Sequence, residues 1–361
     1  MQYKKKLIWL LVIMALVTVA QTVVPYKPAW TIVYADYIFV PYQSLRNVLF
    51  GWSPFSFGDI LYFILGLALV LLPLRWIYFL ITFRKNQGKL VHSFFNTAIL
   101  LATVFLLFLL GWGGNYYKPS LTTYWGMDKE KWVDDSTEIV YERFLLARLN
   151  EQAVNYQPLS FKEVRKKGML FYKEHTDCKA RMHGLNIKPS LYGFFMQYFG
   201  IQGYYNPLTG EAQVNRFLPS FMLPFVVVHE MAHQAGIAAE DDANLLAYTI
   251  SVQSGDPTFQ YSAYLNMWLY NHYRLRRKDS VLANEIKAQL NDLTLHHIDT
   301  LRQIRERYKN EFNTYTTSMY DVYLKLLEQE EGIGSYNEAV ATAWAWESTD
   351  SLRRRKRLDI P

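Results

Sequence analysis

The run His229-Glu230-Met231-Ala232-His233 has the residue types and the spacing for metal-assisted hydrolysis. On a helix, positions i and i+4 stand one above the other on the same face, so both imidazoles can offer a nitrogen to one metal ion. Glu230 falls beside them, where its carboxylate can take a proton from water at the metal. The pattern predicts a zinc-dependent hydrolase of the peptidase kind, with His229 and His233 as ligands and Glu230 as general base. Catalytic zinc takes three protein ligands and keeps one position open, so a third ligand is required. Glu240, Asp241 and Asp242 follow at once. The residues alone leave all three open, because an acidic trio also suits the start of a helix, where the dipole favours negative charge.

Several elements must position these groups. Phe225–Val228 reads as the buried first half of the motif helix, and Gly236 as its stop signal. The chain must then reverse within Gly236–Ala239 to return a carboxylate to the two histidines. Upstream, Ile201–Asn215 reads as two short strands around Asn206-Pro207-Leu208-Thr209-Gly210, a hairpin signal. Its second arm, Glu211–Asn215, is expected to be an edge strand to which an extended peptide can add. The remainder reads as helical. Asp134–Thr137 offers caps for a helix to about Asn155, and Phe161–Thr176, Ala243–Ser254, Tyr261–Arg277 and two segments between Val281 and Glu330 continue the pattern.

Three apolar runs set the compartment: residues 7–24, 60–81 and 94–112, each near the length that crosses a bilayer. Lys4–Lys6 before the first run, and Arg75, Arg84, Lys85 and Lys89 around the connection between the second and third, mark the inner side. The Pro25–Gly58 connection holds only Lys27 and Arg46 and reads as outside. The expectation is a multi-pass protein of the bacterial cytoplasmic membrane, with its N-terminus inside and everything after the third span outside. A membrane domain over 1–115, an outer domain over 116–350 and a basic tail over 351–361 follow. The first run has a second reading as a signal peptide cleaved near Thr18-Val19-Ala20.

Charge excludes one class of partner. Of the net +6, Lys4–Lys6 supply three charges and Arg353–Arg357 five, so the body between is mildly acidic. No distributed basic face for nucleic acid remains. The C-terminal cluster reads as a solvated, disordered tail. Cys178 is alone, so it forms no intrachain disulfide and reads as a buried thiol. His92, His175, His183, His272, His296 and His297 have no spacing relation to the motif; His272 and His296 stay open as residues the fold could bring to it.

Two resemblances add to this. Glu240-Asp241-Asp242-Ala243-Asn244 resembles the Glu-x-x-Ala-Asp signature on the second helix of gluzincin-type membrane proteases. That resemblance implies Glu240 as the third ligand and Asn244 as the residue orienting a ligand histidine. The chain as a whole resembles an uncharacterised bacterial membrane family of three spans followed by an extracytoplasmic HExxH domain. Pro54–Asp59, Asn115-Tyr116-Tyr117, Gly203–Pro207, Thr209–Ala212, Leu223-Pro224-Phe225 and His233-Gln234 carry that likeness. The fold implied is mainly α: a three-helix membrane anchor plus a mostly helical, zincin-like α+β domain with a small hairpin. The partners implied are a lipid bilayer and a peptide or protein substrate. Two rivals remain. A non-catalytic membrane protein would use a structural or vestigial zinc site. An intramembrane protease would put the motif inside a span, against which Pro219, Pro224 and the short apolar run argue.

Overall fold

The computed structural model describes residues 2–127, 135–176, 184–309, 335–355 and 357–361. Cys178, His183 and most of the segment expected to be helical after Tyr308 lie outside the described residues. The chain divides into two compact units, Met1–Lys118 with Asn206–Glu211, and Pro119–Tyr205 with Ala212–Pro361.

Unit 1 is built on three long helices, α1 (Gln2–Tyr26), α4 (Phe57–Ile81) and α5 (Phe83–Gly111). All three are long and apolar enough to cross a membrane, over Tyr3–Val23, Phe57–Ile81 and Phe83–Gly111. They cover the three expected runs, apart from Trp112 at the end of the third, and each begins before its run. The connection after α1, left without structure by the sequence reading, is itself largely helical. It forms α2 (Pro28–Tyr34), one π-helical turn over Ala35–Phe39, and α3 (Val40–Phe50). Arg46 on α3 is buried rather than a loop charge. Its guanidinium donates to the Gly111 carbonyl (3.0 Å), to Gln43 Oε1 (2.6 Å) and to the Pro207 carbonyl. Gln43 Nε2 donates to the Gly210 carbonyl at 2.8 Å. The start of α4 is closed twice: Ser56 Oγ accepts from Asp59 N (3.0 Å), and the Glu211 carboxylate accepts from Phe57 N (3.3 Å) and Gly58 N (2.5 Å). A carboxylate on the first free N–H groups of a helix satisfies donors that no helical carbonyl can reach.

Unit 2 is mainly helical around one small sheet. A short turn, α6 (Leu121–Tyr124), precedes α7 (Asp135–Ala153), and α8 (Phe161–His175) opens with a Ser160/Glu163 capping box. Strand β1 (Ile187–Pro189) and helix α9 (Gly193–Phe199) lead into the hairpin of β2 (Gly203–Asn206) and β3 (Glu211–Val214). The expected turn is present: Gly210 N donates to Asn206 O at 2.8 Å, with Gly210 in the left-handed region at φ +69°. Strand order is β1-β3-β2, with β1 parallel to β3 in the register Ile187↔Ala212 and Pro189↔Val214. This corrects the edge-strand expectation for Glu211–Asn215. β3 is the central, fully buried strand, because the three-residue β1 covers its far side.

The motif helix α10 (Leu223–Gln234) lies inside unit 2 against α8, α11 (Glu240–Gln253) and α12 (Pro257–Lys278). Val227 and Val228 are fully buried, a burial that contributes about 1.5–3 kcal/mol for each such side chain. At 12 residues α10 is too short to span a bilayer. Helices α13 (Ser280–Lys287), α14 (Asp292–Arg307), α15 (Ser335–Ser348) and α16 (Asp350–Arg353) complete the unit. The C-terminal segment departs from the expected solvated tail. Leu352, Leu358 and Ile360 are buried, Leu358 bridges to Thr176, and the Asp359 carbonyl accepts from Trp125 Nε1 at 2.8 Å. Apolar side chains on either side of the basic run dock the segment despite its charge.

Candidate metal centre

Helix α10 brings His229 and His233 onto one face, one turn apart, with ring centroids 4.7 Å apart and planes at 90°. The helix ends in a Schellman turn. Gly236 N donates to His233 O (2.9 Å) and Ile237 N to Ala232 O (3.1 Å), with Gly236 at φ +91°. The chain therefore reverses at once, and Glu240 becomes the first residue of α11. Its carboxylate returns to the histidines, with Oε2 3.3 Å from His229 Nε2 and Oε1 3.5 Å from His233 Nε2. The two Nε2 atoms are 3.1 Å apart.

These spacings can be tested against a metal. Tetrahedral zinc with bonds of about 2.0–2.1 Å holds its ligand atoms about 3.3 Å apart. The Nε2–Nε2 distance is close to that value, and each imidazole has one oxygen of the Glu240 carboxylate at a similar distance, Oε2 for His229 and Oε1 for His233. His229, His233 and Glu240 also form a group whose ligand atoms all lie within 4.8 Å of one another. The donor set, two imidazoles and one carboxylate, suits zinc chemically. Asp241 and Asp242 do not join this group among the described residues. Asp242 instead accepts from Leu121 N at 2.9 Å, capping α6. The sequence alternatives for the third ligand thus separate geometrically in favour of Glu240.

The surroundings orient these side chains. His233 Nδ1 lies 2.8 Å from the Ile237 carbonyl, so Nδ1 carries a hydrogen and Nε2 is the atom turned toward Glu240. That carbonyl is delivered by the same Schellman turn. Asn244, buried one turn along α11, stands beside His229, whose Nδ1 is buried without a hydrogen-bond partner among the described residues. Gln234 Oε1 accepts from Asn186 N at 2.8 Å, joining the approach to β1 to the end of α10.

Electrostatics divide the groups by role. Burial pushes Glu230 up to about 8, with His233 opposing and Glu240 reinforcing the shift. Burial would lower His233, but Glu240 and Glu230 outweigh it and hold it at about 9. Burial lowers His229, partly offset by Glu240. Burial would raise Glu240, yet the two imidazoles hold it well below the usual carboxylate range. Glu240 is thus an anion matched to cationic company, whereas Glu230 is poised near neutrality, as a general base should be. A divalent cation competes with protons for the imidazole nitrogens, so binding releases protons.

Other site residues were not legible in sequence. Gly203 on β2 faces Glu230: a Cβ there would come within 2.7 Å of Glu230 Cγ and Cδ. Tyr270 on α12 lies within electrostatic reach of Glu240, and burial raises its pKa, so it keeps its proton. Tyr172 donates to the Val228 carbonyl at 2.8 Å, holding α8 on the motif helix. Two of the other histidines are engaged elsewhere. His272 pairs with buried Glu142 at 2.8 Å and stacks on Trp268, and His297 bonds Tyr261 at 2.8 Å and stacks on Phe221.

Comparison with curated proteins and with solved structures finds no match. A family model does match, over residues 34–343, taking in α4, α5, the hairpin and the whole histidine–glutamate cluster. The chain belongs to the family described as protein of unknown function DUF3810.

Proposed function

We propose that this protein is a membrane-anchored zinc metallopeptidase, with His229, His233 and Glu240 as metal ligands and Glu230 as general base. One observation carries the reading: two imidazole Nε2 atoms 3.1 Å apart, each within 3.5 Å of an oxygen of the Glu240 carboxylate, with the Glu230 carboxyl on the same helix beside them. Zinc bound there supplies a Lewis acid, which acidifies water and polarises a carbonyl. Glu230 takes the proton from the attacking water and returns it to the departing amine. Tyr270 keeps its phenol proton beside Glu240 and is the proposed donor to the oxygen that gains charge. An extended substrate adds along β2 near Gly203, the outer strand that meets the base, rather than along β3. The three long apolar helices anchor this activity at a membrane, with the N-terminus inside and unit 2 on the outer face.

The test is elemental analysis of the detergent-purified full chain, paired with a peptide-cleavage screen. The expected result is one zinc per chain in wild type and Glu230→Gln, and loss of zinc in Glu240→Ala. Glu230→Gln should lose about 10²–10⁴-fold in turnover. Absence of zinc and other divalent metals from wild type, or full turnover in Glu230→Gln, overturns the reading.

A further inference from the structure

Helix α9 turns its aromatic side chains outward. Phe194 and Phe195 are 54 % and 59 % exposed, and Phe217, which lies against Gly193, is 48 % exposed. Phe194 has ring centroids of Phe195 and Tyr198 at 5.8 and 5.4 Å, so the rings form one surface rather than scattered apolar residues. The guanidinium of Arg216 stands over the Phe217 ring at 4.9 Å, at the margin of this surface. From Pro189 through Gly210 the chain holds no Asp, Glu, Lys or Arg. A contiguous aromatic face without charge marks an interaction surface.

Two kinds of occupant have the matching chemistry, a bilayer and an apolar peptide. Consecutive residues Phe194 and Phe195 are each more than half exposed, as on a projecting helix, whereas a binding pocket would bury them. The same chain carries three helices long and apolar enough to cross a membrane, which keeps lipid at a high effective concentration around the rest of the molecule. Aromatic rings with an arginine at their edge are the composition of an interfacial element. The rings settle at headgroup level and the cation meets the phosphates. We propose that α9 and Phe217 form an interfacial foot that inserts into the surface of the bilayer. This proposal stands independently of the peptidase reading.

The experiment places an environment-sensitive fluorophore on Phe195→Cys in a Cys178→Ser background, with Tyr273→Cys, an exposed α12 position, as control. The full chain is reconstituted in phosphatidylethanolamine–phosphatidylglycerol vesicles, with and without phosphatidylcholine brominated near the headgroup. The expected result is loss of emission from the Phe195 label with brominated lipid and protection from aqueous iodide, with the reverse at Tyr273. Iodide quenching of both labels alike overturns the proposal, since the face is then in water. Shielding of the Phe195 label from both quenchers also overturns it, since the face is then covered by protein, whether a second copy or a bound peptide.

Discussion

The side chain of Glu230 occupies the space where a Cβ on Gly203 would stand, with Glu230 Cγ and Cδ 2.7 Å from that position. Strand β2 is thereby the wall against which the Glu230 side chain rests, and no side chain separates backbone from carboxylate. Glu230 Oε2 is buried and has no hydrogen-bond partner among the described residues.

Gly203→Ala should therefore displace the carboxylate while leaving the ligands in place. Misplacing a catalytic group by about an ångström costs on the order of 10²-fold in rate. The expected outcome is that loss in peptide turnover with zinc content unchanged, read by cleavage kinetics and elemental analysis on the same preparation. Loss of zinc as well would show that β2 supports the ligands rather than the base.

Asn244 is predicted to act through His229. Outer partners that orient a ligand histidine are worth about 10–100-fold in metal affinity. Asn244→Ala should weaken zinc binding by that order in competition with a chromophoric chelator. Asn244→Asp, which retains an acceptor for the imidazole, should restore it.

Gly236 is the hinge on which the ligand set turns. At φ +91° any L side chain is strained, at a cost of about 1–2 kcal/mol. Gly236→Ala should lower stability by that amount in denaturant titration. It should also weaken zinc binding, because the same turn delivers both the Ile237 carbonyl and Glu240.

The histidine pair was legible because i, i+4 spacing on a helix is local geometry. Choosing Glu240 over Asp241 and Asp242 needed more, namely the Schellman turn that sets which carboxylate comes back. Gly236 signalled a stop but not its direction. Gly203 was invisible because its meaning lies in a contact 27 positions away, with Glu230. β3 was misread as an edge because Ile187-Lys188-Pro189 is too short to show alternation and contains a proline, which usually argues against a strand. The basic run at 353–357 drew attention from Leu358 and Ile360, whose alternation was the available signal for a docked segment.

Glu347 gives a pH test away from the metal centre. It is buried on α15, accepts from Tyr248 OH at 2.8 Å, and has Arg353 Nε 3.6 Å away. Burial raises its pKa above the usual carboxylate value, and the Tyr248 bond and Arg353 only partly reverse this. A folded pKa above the unfolded one means that the neutral acid favours the folded state. That contribution is full below about pH 4.3, the ordinary glutamate value, and is lost as pH rises through the raised folded pKa. Glu347→Gln cannot ionise, yet its amide oxygen can still accept from Tyr248. The variant should therefore gain in melting temperature over wild type as pH rises, with the smallest difference in acid. Melting curves of the two proteins across that range decide it: a gap that widens toward acid would mean that the Arg353 pairing outweighs the cost of burying the charge.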